Sequence, residues 1–590
     1  LPAVRSALLS VLNGGRGGPA ELPLPSLARE TAAMALARAE TDEARALLVA
    51  TMMQQGPAGA TARRALLAHP PQALKAIVGS GKGHLHPKLI RLLGELGDPR
   101  AIGPLRRQLR HKSVTVRAAA AVALARLGDG SVEATARRWL GGAKQGGVLR
   151  VAGVEALQLL DAPDAPAAIA ALLSSTTTRA VALRLAENAP SAELVGPLTK
   201  LVRRGDDGGV RSRALSIIAR TAGNAAVEVL LEQLGRADSS TLAALGLARI
   251  SGPAARSGLE RALAGAGEGG ARRLILRASI VRYLELGEAV PGLGDELAQA
   301  LKSSDRADRA VGAFGLTALG LRSAAALVRS DDEVIAAAAA RATLAQGGDH
   351  ARMPCWPVLR GADRASSSSS RGPLREPRPA PARTIACGAA LMLGGAPVSA
   401  ATLAEWAEGG GALAPAAALA LARRDGESIR PRLRRRLEGT DPVVRAHVAL
   451  GLAYSPQADA ASLLTRAYRF EANPMVRRAV VRALSARSEP IRRSTLELAR
   501  RLDPDAAVRG VARAALRGVD VVPRLELPRG AVAWIALQPN AHADDAAIAL
   551  RAARVIRSDG VAYPVVSAPD GVLLVPGLRP LGGATVQLAP

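Results

Sequence analysis

Three stretches near the C-terminal end of this chain can be laid over one another without gaps: Asp441-Pro442-Val443-Val444-Arg445, Asn473-Pro474-Met475-Val476-Arg477 and Asp505-Ala506-Ala507-Val508-Arg509, each 32 residues after the last. A chain that repeats itself at this interval is confined to stacked supersecondary units, because one unit is too short to bury its own apolar face and needs its neighbours to close a core. After each Arg the apolar spacing recurs as Val448, Gly451 and Leu452, then Val480, Ala483 and Leu484, then Ala512, Ala515 and Leu516. Steps of three and four residues mark one face of an α-helix. Asp or Asn before it offers an acceptor to the unpaired N–H groups of the first turn, and Pro suits the first helical position.

Weaker copies keep the register upstream. Val116-Arg117 precedes Ala120, Ala123 and Leu124; Leu149-Arg150 precedes Gly153, Ala156 and Leu157; Val210-Arg211 precedes Ala214, Ile217 and Ile218; Arg277 and Arg309 are again 32 apart. Second amphipathic segments lie between, at Ile102 to Leu109, Leu194 to Val202, Ala226 to Leu234 and Ser462 to Tyr468, set off by Gly, Asp or Pro. The expected unit is helix, short turn, helix.

The cadence D-P-x-V-R-x-x-A-x-x-A-L resembles HEAT repeats of the short bacterial kind, including those named after phycobilisome lyases, over roughly residues 30 to 350 and 384 to 518. The resemblance implies an all-α fold, a HEAT-type α-solenoid in which helical hairpins stack into a superhelix. It also implies that the recurring Arg and Asp pair from one repeat to the next, which would make Arg117, Arg211, Arg445, Arg477 and Arg509 structural.

Composition fits close helix packing: 48% of residues are hydrophobic but only 2% aromatic. The formal charge of +27 points towards an acidic partner or nucleic acid, yet only seven of the 78 basic residues are Lys, so a GC-rich coding habit explains the excess equally well. No apolar run approaches the roughly 20 residues that span a bilayer. Cys355 and Cys387 are the only cysteines and define neither a disulfide framework nor a thiolate metal site. The chain starts at Leu1; a processed export signal is one explanation, and a periplasmic or envelope setting is favoured over the cytoplasm.

Residues 351 to 383 interrupt the pattern with Met353-Pro354-Cys355-Trp356-Pro357, the serines 366 to 370 and a Pro/Arg stretch from Pro373 to Pro381. This reads as a flexible linker, or as a frameshift within a repeat, between a solenoid at 1–350 and further repeats at 384–518. From residue 519 to 590 β-branched alternation takes over, with strands expected at 531–537, 553–557, 561–566, 572–575 and 584–588, and turns at Ser558-Asp559-Gly560 and Pro569-Asp570-Gly571. The tail from Asp570 to Leu588 resembles the closing strands of carboxypeptidase-regulatory-like β-sandwiches, which implies a small β-sandwich-like domain.

Catalytic signatures are weak. Gly79-Ser80-Gly81-Lys82-Gly83 lacks the spaced first Gly and the Ser/Thr of a phosphate loop. His84 and His86 have no third ligand nearby and read as a solvated turn; His447 reads as packed or hydrated. Asp206-Asp207 and Asp331-Asp332 fit helix caps. One cluster is denser in charge than its surroundings: Arg423, Arg424, Arg430, Arg432, Arg434, Arg435 and Arg436, followed by Arg478, is a candidate polyanion-binding stripe. The leading expectation is a non-catalytic scaffold without a cofactor, binding one or more proteins on an extended concave surface. The alternatives are a basic nucleic-acid or polyanion binder and, with no motif to carry it, a bilin-lyase-type enzyme.

Overall fold

A computed structural model of the chain describes residues 36, 41–53, 57–67, 70–80, 85–141, 146–204, 207–221, 223–236, 238–346, 348–369, 381–393, 395, 397–424, 430–503, 505–523, 525, 532–536, 550–576 and 584–588. Two compact units emerge, Leu1–Thr221 and Ala222–Pro590. Each is a stack of helical hairpins. In the first unit the short helix Ile102–Gln108 turns into Val114–Arg126, and Val195–Arg204 into Gly208–Arg220; in the second, Ala460–Phe470 turns into Pro474–Ser485 and Ile491–Leu502 into Ala506–Leu516. Ile102–Gln108, Val195–Arg204 and Ala460–Phe470, the first helices of their hairpins, coincide with amphipathic segments expected from the sequence, and Ile491–Leu502 adds another.

The second helices of successive hairpins lie side by side. Arg306–Ala318 packs on Glu333–Gln346, and Pro442–Leu452 packs between Ala414–Ala422 and Pro474–Ser485. Small residues make this approach possible. A methyl group added at Gly451 would sit 2.6 Å from the Leu419 carbonyl oxygen, so the register position read as apolar is, where helices cross, a position that excludes a side chain.

The opening signal of each repeat performs as its chemistry dictates. Asp441 accepts from the Val443 N–H at 2.8 Å, Asn473 from Met475 at 2.9 Å and Asp505 from Val508 at 2.9 Å. The recurring Arg closes the hairpin behind it. Arg445 donates to the carbonyls of Gly439 and Thr440, Arg477 to those of Glu471 and Ala472, Arg309 to those of Ser303 and Ser304, and Arg117 to those of His111 and Lys112. Its remaining nitrogens reach forward one repeat: Arg445 to Glu471, Arg477 to Asp503 and Arg309 to Asp332. One guanidinium therefore caps carbonyls at a helix end and clamps the next hairpin, a bidentate task that lysine cannot perform.

The segment 351–383, expected as a linker, is in part helical. A helix runs from Gly348 to Ser369 with Pro354 and Pro357 inside it, and Ala382–Cys387 follows. Cys355 and Leu359 are buried, and Cys355 is disulfide-bonded to Cys387 across a Cα separation of 5.2 Å. The boundary between compact units falls at Thr221, so this region lies within the second unit. Burial of Pro354, Cys355 and Leu359 together with the covalent link outweighs the helix-breaking tendency of the two prolines. Reducing the disulfide, or substituting Cys355→Ser, is expected to destabilise the second unit by about 2 kcal/mol, read as a lower thermal midpoint that dithiothreitol no longer changes in the variant.

Past residue 519 the described residues form five strands, each within two residues of its expected bounds. Strand β1 (Val532–Ala536) pairs antiparallel with β4 (Val572–Pro576), while β2 (Ala552–Ile556) lies between β3 (Ala562–Val566) and β5 (Thr585–Leu588). The two sheets share a core of Ala533, Ala553, Val555, Val565, Leu573 and Val575.

Candidate interaction face

The row of second helices in the second unit carries this β-module. From the helix Gly270–Leu286, the buried Arg277 donates to the Asp570 carboxylate at 2.8 Å, in the turn before β4. From Glu333–Gln346, Arg341 donates to the Val566 carbonyl at 2.5 Å while its guanidinium lies 5.1 Å from the Phe314 ring centre. From Pro474–Ser485, Arg482 donates to the Asp559 carbonyl in the turn between β2 and β3. The module answers with Arg554 of β2, which donates to the Asp441 carboxylate and to the carbonyls of Gly410 and Gly411. Asp441 thus caps its helix with one oxygen and holds the module with the other.

His447 completes the set. It is fully buried, donates from Nδ1 to the Val443 carbonyl at 2.8 Å and accepts the Ala562 N–H on Nε2 at 2.9 Å. Only the neutral imidazole can both donate and accept. Burial accordingly pulls its pKa down to about 4. An unfolded histidine binds its proton near pH 6.5, so as pH falls from there towards 4 the unfolded chain gains a proton that the folded chain refuses, and stability drops by about 3 kcal/mol. A His447→Gln variant is expected to lose this part of the acid sensitivity between pH 6.5 and 4, as measured by urea titrations at a series of pH values.

Burial also lowers the pKa of Arg277, against the pull of Asp570, and brings that of Arg341 to about 10, with Arg277 adding repulsion. Arg341 remains cationic at neutral pH, and Arg277 is paired with the Asp570 carboxylate. The Asp441 carboxyl is raised by burial but lowered further by Arg554, and ends below its ordinary value. Guanidinium forks and an imidazole acceptor facing turn carboxylates, carbonyls and an amide form a surface for gripping polypeptide.

The expected polyanion stripe is distributed among other tasks. Arg423 donates to the Met392 carbonyl and lies over the Tyr454 ring, Arg424 to Val398 and Arg432 to Ala400. Arg436 pairs with Glu408, Arg434 lies 3.6 Å from Glu438 and Arg478 3.7 Å from Asp505. Arg435 is exposed. The side chain of Arg430 lies outside the described residues, as do Gly81 to Gly83, His84 and Asp206. His86 caps the helix Pro87–Glu95, Asp207 caps Gly208–Arg220, and Asp332 accepts from the Val334 N–H. Among the described residues no three His, Cys, Asp or Glu side chains converge as a metal site, and no helix is long and apolar enough to cross a membrane.

The docking residues Arg277, Arg341, Arg482 and Arg554 were not singled out from the sequence as a site. Arg277 entered only as the register partner of Arg309, and Arg341 is marked by a charge placed where an apolar residue is due, in the alanine-rich stretch from Ala336 to Ala342.

Residues 74–158 and 430–517 match the HEAT-repeat family. No curated protein matches. Among solved structures, human deoxyhypusine hydroxylase in complex with glycerol is 19% identical and covers 47% of this chain and 96% of its own, with a TM-score of 0.17. Kap121p bound to Pho4p is 12% identical over 87% of this chain and 57% of its own, with a TM-score of 0.28. The UNC-45 chaperone, described as binding and folding muscle myosin, is 12% identical over 87% of this chain and 71% of its own, with a TM-score of 0.29. The chain thus spans little more than half the length of Kap121p. Repeat pattern, helical stack and family match agree: the chain carries HEAT repeats in two regions, one in each compact unit.

Proposed function

We propose that this chain is a non-catalytic scaffold that binds protein partners through the extended, concave surface of its stacked second helices. The observation that carries this reading is the docked β-module: a row of second helices holds a folded piece of protein through buried side chains aimed at turns and backbone. In the second unit that face is filled from within the chain. In the first unit, the row Val114–Arg126, Gly147–Leu159, Thr176–Asn188 and Gly208–Arg220 exposes Val114 and Val148 near two helix starts and Arg184 farther along a third, apolar and basic side chains suited to a partner. Affinity capture of the tagged full chain from extracts of its native organism, with cross-linking, is expected to retain a partner whose cross-links map to that row. Recovery of none under mild conditions, or cross-links confined elsewhere, contradicts the reading.

A second reading, a polyanion or nucleic-acid binder, draws on the charge of +27 and on the exposed Arg435. It requires affinity for DNA or RNA that falls steeply with salt; salt-insensitive or absent binding at low ionic strength disposes of it.

A further inference from the structure

The first helices of the last three hairpins, Arg430–Leu437, Ala460–Phe470 and Ile491–Leu502, follow the same 32-residue register as the second helices. At the position occupied by Glu438, just past the first of them, the next two carry Phe470 and Leu502, 81% and 71% exposed. The chain has only two Phe, and one of them is given to solvent. Basic residues flank this apolar pair: Arg434 and Arg466 are half exposed, Arg469 is exposed, and Arg501 is exposed beyond them. Between the first two helices lies a cleft of about 310 Å³, floored by Leu437, Leu463 and the Arg445–Glu471 pair, with Phe470 on its rim.

Charge selects the occupant. Glu471 is already neutralised by Arg445, and Glu438 is shared loosely between Arg434 at 3.6 Å and Arg466 at 3.9 Å. Exposed pairs of that length hold little energy, so both guanidiniums are available to a competing carboxylate. Phosphate backbones fit less well, because Glu438 and Glu497 lie among the cations and a nucleic acid has no use for Leu502.

We propose that this first-helix stripe is a second docking surface, and that it takes an acidic polypeptide segment carrying apolar side chains. Carboxylates of the segment pair with Arg434, Arg466 and Arg469, while apolar side chains cover Phe470 and Leu502 and enter the cleft. Neighbouring packed helices are about 10 Å apart, so a segment in the polyproline II conformation, which rises about 3.1 Å per residue with three residues per turn, turns the same face to successive sites at every third residue. The inference rests on the scaffold reading and assigns it a surface and a partner chemistry.

The test uses the full chain and two exposed-surface variants, Phe470→Ala/Leu502→Ala and Arg434→Glu/Arg466→Glu, each checked for an unchanged circular dichroism melt. A displayed library of random dodecapeptides is panned on the wild type, and the enriched sequences are measured as synthetic peptides by fluorescence anisotropy. Peptides rich in Asp or Glu with Leu or Phe every third residue are expected, losing at least about tenfold in affinity on either variant. No enrichment, enriched peptides that bind both variants within twofold, or binding only of RNA with no effect of the Phe470/Leu502 change would each overturn the proposal. If a cellular partner is captured equally by wild type and variants, the stripe fails while the scaffold reading stands; if none is captured at all, the scaffold reading fails first.

Discussion

Replacing Arg477 with alanine is expected to destabilise the second unit by about 4 kcal/mol. The Asp503 carboxylate it abandons is fully buried, held by Arg477 Nε at 2.9 Å and Nη2 at 3.1 Å, by the Tyr468 hydroxyl at 2.8 Å and by the Asp505 N–H at 2.8 Å. The same arginine caps the carbonyls of Glu471 and Ala472, so three neighbouring elements lose their common clamp. Burial alone would raise the Asp503 carboxyl; the bonds from Arg477, the backbone and Tyr468 outweigh it and lower its pKa. A carboxyl depressed in the folded state contributes stability above its unfolded pKa and loses it as pH falls through the folded value. Without Arg477 burial prevails and the folded Asp503 carboxyl rises, so protonation relieves the stranded charge and the variant's deficit relative to the wild type is expected to shrink as pH falls from 7 towards 3. Urea midpoints from pH 7 to pH 3 measure both effects. An Arg477→Ala/Asp503→Leu double variant, which removes the stranded charge, is expected to recover more than half of the loss.

The second large effect comes from adding atoms. A Cβ at Gly312 would lie 2.5 Å from the Leu301 nitrogen and 2.7 Å from the Leu297 carbonyl oxygen, both backbone atoms of the neighbouring helix Leu293–Leu301. No rotamer relieves such a contact, because the obstruction is main chain. Gly312→Val is therefore expected to push the helices Leu293–Leu301 and Arg306–Ala318 apart and to destabilise the stack by about 3 kcal/mol. Gly361→Ala serves as the control, since nothing lies within 4 Å of its added methyl. Thermal melts that placed Gly312→Val beside the control would show that the hairpins are packed less closely than described.

Much of the stack was legible because its signals are local. The caps Asp441, Asn473 and Asp505 lie two or three residues from the N–H groups they satisfy, and the apolar steps of three and four are set by one helix turn. The arginine ladder required the HEAT resemblance, because Arg445 and Glu471 are 26 residues apart and only a known stacking geometry brings them together. The contacts that hold the β-module are longer in range. Arg277 meets Asp570 across 293 residues and His447 meets Ala562 across 115, and no periodicity relates either pair. The segment 351–383 misled by composition: its prolines and serines read as a linker, while one buried face of Pro354, Cys355 and Leu359 and a disulfide to Cys387 order part of it. That bond spans 32 residues, one repeat, a spacing that matches the period seen elsewhere in the chain. The arginine run at 423–436 looked denser than it is in space, since Arg423, Arg424, Arg432 and Arg436 turn back onto the preceding hairpin.

The gripping of one folded element by a row of second helices is the basis of the functional reading, and amide hydrogen exchange on the intact chain tests it most directly. Amides of β2 and β3, with that of Ala562 bonded to His447, are expected to exchange as slowly as those of the helix Pro442–Leu452, and Arg277→Ala/Arg554→Ala is expected to accelerate the β-module while leaving the first-unit helices unchanged. Fast exchange throughout 552–566 in the wild type, beside well-protected helices, would mean that the module is not held on that face.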